Sequence, residues 1–261
     1  VGVKLKLTEC TVDMFKNLNS QISYLHQRNN FMKKIFFALI VLLFAGCNGQ
    51  DHYIENPVNL MIKSMSNEKS YTIILDDMDA KNDGHYHKYS VVKVSKSDEI
   101  TQSKTKFLPV SYEFFKKNEN NLGMQIVSKD STGKVTKAAI PAGYDNYIGN
   151  SRYGHWQGSG DQSIWVFYGR YMFLRSVFGL GYHPAYYGMH RGYYGSYYGT
   201  NRSFYGSGYQ GGNYYGTSSK VTQKNRPDFY QRKARNTNWN SSRRSSSSRR
   251  SGRGSGFGYG K

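Results

Sequence analysis

Residues 71–94 read YTIILDDMDAKNDGHYHKYSVVKV, and this stretch decides the fold class. Tyr71 to Leu75 is aromatic and β-branched, the composition of a strand. Asp83-Gly84 is a turn signal. Tyr86 to Val94 follows as a second strand. Alternation puts Val92 and Val94 on one face and Tyr89 and Val91 on the other. The pair predicts an antiparallel hairpin.

Upstream, Asn56-Pro57 reads as a helix start, with Asn as N-cap and Pro at the first helical position. Val58, Met61, Ile62 and Met65 then recur at helical spacing and form one apolar face. Ser66-Asn67 ends it. Downstream, Ser111 to Lys117 fits a strand end or a short helix equally well. Met124 to Ser128 and Val135 to Ile140 predict a second hairpin around Asp130-Ser131-Thr132-Gly133. Residues 57–142 therefore predict a small α+β domain with one short helix and antiparallel hairpins. At about ninety residues it holds one modest core. Residues 47–56 are a polar tether in front of it.

Composition changes near Pro141. Residues 143–216 hold sixteen of the 24 Tyr and 17 of the 28 Gly, with Tyr-Tyr-Gly recurring at irregular spacing. There is no fixed repeat period. Glycine makes backbone costly to order, so disorder or weak association is expected here. One aromatic segment, residues 164–178, interrupts the region. On a helix, Phe167, Tyr171, Leu174 and Phe178 share a face. Arg170 and Arg175 and its short length make it a poor membrane span. Two readings stay open: docking on the small domain, or lying in a membrane interface.

The net charge of +19 is unevenly spread. Residues 217–261 carry twelve Lys/Arg against one acid, Asp228, a net of +11. Residues 1–46 carry six against two, and residues 47–216 come to +4. Ser, Arg and Gly dominate the last stretch, which is expected to be a disordered basic tail. Arg243, Arg244, Arg249, Arg250 and Arg253 are the candidate anion contacts. With only Cys10 and Cys47 present, no disulfide and no thiol metal site is expected.

Met32-Lys33-Lys34 is followed by the apolar run Ile35 to Ala45 and then by Gly46-Cys47. A charged start, a short apolar run and small residues before a cut define an export signal, here residues 32–46. The run is too short to span a bilayer, which takes about 20 residues. Phe44-Ala45-Gly46-Cys47 resembles the lipobox of bacterial prolipoproteins, in which Leu-Ala-Gly-Cys is the common form. The resemblance implies cleavage between Gly46 and Cys47, diacylation of the Cys47 thiol and a mature chain starting there. Several acyl chains hold a protein firmly where one is marginal. Asn48 is not the Asp that retains some Gram-negative lipoproteins at the inner membrane, so the same resemblance implies the outer membrane. Residues 1–31 are expected to be an extension from a misassigned start, with translation beginning at Met32. The whole layout, chiefly the tail from Arg243 to Gly258, is similar to that of YgiB-type envelope lipoproteins. That likeness supplies no catalytic residue.

Few residues suggest chemistry. Asp76, Asp77, Asp79 and Asp83 invite a calcium reading. The EF-hand spacing fails, because from Asp79 the third position is Lys81 and the twelfth is Ser90. His85 and His87, two apart on a strand, face one way, yet two ligands alone do not make a metal site. There is no Gly-x-Ser-x-Gly, P-loop or His-Glu-x-x-His. No cofactor is expected. The sequence thus predicts a non-enzymatic, lipid-anchored envelope protein. Its partners would be a membrane through Cys47, and anionic lipid, lipopolysaccharide or cell-wall polymer through the tail. The alternatives are an exported metal-binding or enzymatic module around Asp76–His87, and a nucleic-acid binder through the tail.

Overall fold

The side chain of Asn56 accepts a hydrogen bond from the Val58 amide at 3.0 Å and starts α1 (Pro57–Ser64), with Pro57 in its first turn. This is the capping arrangement the sequence predicts. The computed structural model describes residues 55–82 and 84–241. Gly46, Cys47, Asp83 and the five tail arginines lie outside the described residues.

The predicted hairpin is β1 (Ser70–Lys81) and β2 (Gly84–Val94), antiparallel throughout. β3 (Ile100–Lys104) and β4 (Leu108–Val110) both pair with β2. Ser111 caps α2 (Tyr112–Asn118), which settles the ambiguous stretch as helix. β5 (Met124–Lys129) pairs with β1 on its other side, and β6 (Val135–Thr136) and β7 (Ile140–Pro141) pair with β5. The sheet order is β3-β2-β1-β5-β6, a mixture of helices with antiparallel sheet that makes the chain α+β.

A bulge between Leu75 and Asp77 sets which side chains reach which face. Before it, Tyr71, Ile73 and Leu75 point into one layer; after it, Met78 and Ala80 do. The extra residue shifts the alternation by one. Without it the far end of β1 would turn its apolar side outward.

The two faces carry separate cores. A helical layer joins Val58 and Met65 with Phe115 of α2, Phe229 and Trp239, over Tyr89 and Val91 of the sheet. The opposite face presents Ile74, Val92, Val94, Met124 and Ile140 to an aromatic layer. Val92 and Val94 therefore separate from Tyr89 and Val91 as their alternation predicts.

The aromatic layer corrects the expectation of disorder across residues 143–216. Tyr144, Tyr147, Tyr193 and Tyr215 are buried in it, beside Trp165, Phe167, Leu174 and Phe178. It contains a two-stranded sheet, β8 (Gly154–Gln157) with β9 (Ile164–Phe167). It also contains α3 (Phe173–Val177) and α4 (Tyr187–Ser196). Tyrosine rings meet at an angle here: Tyr144 faces Tyr193 at 5.8 Å and Tyr215 at 5.9 Å. Such pairs are worth about 0.5–1.5 kcal/mol beyond the area they bury. Several of the hydroxyls find partners, while that of Tyr147 is buried without one. Tyr144 and Tyr215 bond to each other at 2.8 Å, Tyr193 donates to Asp145, and Tyr205 donates to Asn121 at 2.8 Å. Rings that satisfy their own polar ends build a core with few aliphatic residues.

Residues 217–241 also depart from expectation. Instead of a disordered start to the tail there are α5 (Lys220–Asn225) and α6 (Pro227–Arg235). Ser219 caps the first, and Phe229 and Trp239 anchor the second in the helical layer. The segment 164–178 docks, but as strand, turn and short helix rather than as one helix. Phe167, Tyr171, Leu174 and Phe178, the four residues of its predicted face, are all buried.

Candidate functional site

The Asp/His hairpin is built from committed groups. Asp76 receives Lys104 at 3.2 Å and lies 3.9 Å from Lys88. Asp77 is paired with Arg232 at 2.7 Å. Asp79 accepts the Ala80 amide at 3.0 Å. The carboxylates point to separate cations or to backbone, not to a common centre.

His85 and His87 do share a face, as predicted, and that face is the helical layer. Their rings lie 4.6 and 5.4 Å from the Phe115 ring. His87 Nδ1 is 3.0 Å from the Tyr89 hydroxyl, and its Nε2 is buried with no hydrogen-bond partner. Burial, with a smaller push from His85, lowers the His87 pKa to about 3, so the ring is neutral at ordinary pH. His85 Nε2 lies 3.3 Å from the Asn238 carbonyl. Among the described residues no group of three or more His, Cys, Asp or Glu is placed to hold a metal ion.

Inside the aromatic layer, His183 and His190 are likewise pressed toward neutrality by burial, each to about 4. His183 Nε2 sits 2.9 Å from the Thr222 hydroxyl, while its Nδ1 has no partner. The gap beside it, lined by Tyr144, Tyr215 and Arg226 among others, is narrow and closed. Asp145 is fully engaged by Gln125, Ser128 and Tyr193. These are polar groups serving the core.

The outer surface of the aromatic layer is different. From Gln162 to Pro227 the chain has no Asp or Glu, but it has Arg170, Arg175, Arg202, Lys220 and Lys224 exposed, besides Arg191, which pairs with Asp161 at 3.0 Å, and Arg226, which bonds to the Asp76 carbonyl. Tyr168, Met172 and Phe173 stand out from one end, and Tyr187, Tyr194 and Tyr198 line α4 and its end. Tyr194 and Tyr198 stack at 4.7 Å. Guanidinium groups lie on rings: Arg170 on Tyr171 at 4.6 Å and Arg202 on Tyr197 at 4.8 Å. Composition alone placed the basic charge in the tail. The acid-free run that marks this second cationic surface was visible in the sequence, but only packing shows which of its aromatic residues face out. Among the described residues no helix is long and apolar enough to cross a membrane.

Comparison of the chain with protein-family models, with curated proteins and with solved structures finds no match in any of the three.

Proposed function

We propose that the protein is a non-enzymatic, lipid-anchored protein of the bacterial cell envelope, tethered through acylated Cys47 and holding anionic envelope components with its basic C-terminal region. By the lipobox resemblance, the outer membrane is its site. The observation that supports this reading is where the ends of the folded body lie. α1, the first element after the tether, packs in the helical layer against β4. Trp239, just before the last tail arginines, packs in that same layer against Phe115. β4 pairs with β2 at His85–His87, and Asn238 lies against His85. The segment following the anchor and the segment leading to the tail therefore leave from one side of the sheet. A tail so placed acts close to the anchored surface, where each added Lys or Arg is worth about 1 kcal/mol against anionic head groups. Anion binding by this tail weakens as salt rises.

Metabolic labelling with palmitate tests the anchor. Label should appear on the protein, disappear in Cys47→Ala, and leave the variant outside the membrane fraction. Unlabelled wild-type protein would overturn the reading.

A further inference from the structure

We infer that residues 168–175 form a second membrane contact, in which Tyr168, Met172 and Phe173 enter the headgroup boundary of an anionic bilayer. The inference uses the lipid-anchored reading for the presence of a membrane and needs neither Cys47 nor the tail for the contact itself.

The segment is a 3-10 turn, Gly169–Tyr171, running into α3. Its inward side chains, Tyr171 and Leu174, are part of the core. Its outward ones are Tyr168, Met172 and Phe173, 43%, 45% and 41% exposed. Three large apolar side chains left in water within six residues, in a fold that buries so many others, form a patch with a use. None of the three residues lines the gaps beside His183, beside Asp145 or beside Lys129. Met and Phe have no hydrogen-bonding group with which to read a base or a sugar. Removing them from water into an acyl boundary is what their chemistry gains from.

Charge fits the same partner. Arg170 and Arg175 flank the apolar tips, are exposed, and make no ion pair among the described residues. Arg170 lays its guanidinium over the Tyr171 ring at 4.6 Å, which holds the cation beside the apolar tips with its N–H edges open to a phosphate. His155 stacks on Tyr168 at 5.6 Å and fixes that ring in its outward position.

Hydroxyl-radical footprinting of the full chain, read at Met172 by mass spectrometry, tests the contact. Oxidation of Met172 should run about three-fold slower with phosphatidylglycerol vesicles than with phosphatidylcholine vesicles, because both insertion and charge favour the former. The Arg170→Gln/Arg175→Gln variant should lose that difference while Met172 stays equally reactive without lipid. Equal rates in the two vesicles would overturn the inference, and so would protection of Met172 by single-stranded RNA or an acidic polysaccharide instead of by lipid. The same measurement on Cys47→Ala separates the two readings. Protection that survives in a chain without palmitate leaves this contact standing when the anchor has failed. Palmitate labelling with unprotected Met172 does the reverse.

Discussion

Arg232, on α6, places one guanidinium nitrogen 2.7 and 2.8 Å from the two carboxylate oxygens of Asp77, beside the bulge of β1. The pair ties the start of the basic C-terminal region to the centre of the sheet. Its side chains are 39% and 17% exposed, so solvent screens much of the attraction. A double-mutant cycle with Arg232→Met and Asp77→Asn, followed by urea unfolding, should give a coupling of about 1 kcal/mol that shrinks in high salt. A coupling near zero would mean that Phe229 and Trp239 hold the helix unaided.

The tyrosines of the aromatic layer should behave as core. Tyr193→Ala removes a ring with no exposure and should cost about 3–5 kcal/mol. Tyr193→Phe keeps the ring and strips Asp145 of one donor, at about 1–2 kcal/mol. Chemical denaturation measures both. A layer that merely rested on the sheet would leave the midpoint unmoved.

Glycines in this layer divide by what a methyl group would meet. Gly192 and Gly195 in α4 have open space around them and no need of positive φ. Each should gain about 1 kcal/mol on substitution by alanine, from helix propensity. A methyl group on Gly154 would run into the Val166 carbonyl and sit 2.9 Å from the Trp165 ring, so Gly154→Ala should destabilise by several-fold more than either gain. Thermal melts of the three variants would rank them.

Acid should unfold the protein in a defined window. In the unfolded chain the imidazoles protonate near 6.5, whereas His87 resists to about 3 and His183 and His190 to about 4. The unfolded state then binds more protons throughout that interval. Stability is full above about pH 6.5 and falls as pH drops toward 4, at about 1.4 kcal/mol per pH unit for each histidine. His87→Phe should be weaker at pH 7, since Tyr89 loses its partner, yet it should lose less on going to pH 4.5. An unchanged acid limb in that variant would remove His87 from the account.

How far the sequence carried the fold depended on the kind of signal. Asn56-Pro57 and the Val58–Met65 spacing are local, and the helix forms where they say. The β2 alternation even sorted Val92 and Val94 from Tyr89 and Val91 into the layers they occupy. What failed was the reading of Tyr and Gly as the mark of an unfolded segment. Whether Tyr144 packs depends on Tyr215, 71 residues away, and composition does not register such a partner. In residues 164–178 the apolar face was right and the helix was wrong, because Trp165 and Phe167 belong to a strand paired with Gly154–Gln157. For the candidate site, the signal and tail readings rest on Cys47 and Arg243–Arg253, while the outward trio at 168–173 becomes apparent only once its neighbours are seen to be buried.

Both covers of the sheet are completed late in the chain. Its last strand is complete at Pro141, but one face waits for Tyr215 and the other for Phe229 and Trp239. A chain emerging N-terminus first therefore carries a sheet whose faces are incompletely covered until nearly all of it has been delivered, with α1 and α2 shielding only part of the helical side. A chain stopped short of Trp239 is left with a partly uncovered surface that invites aggregation.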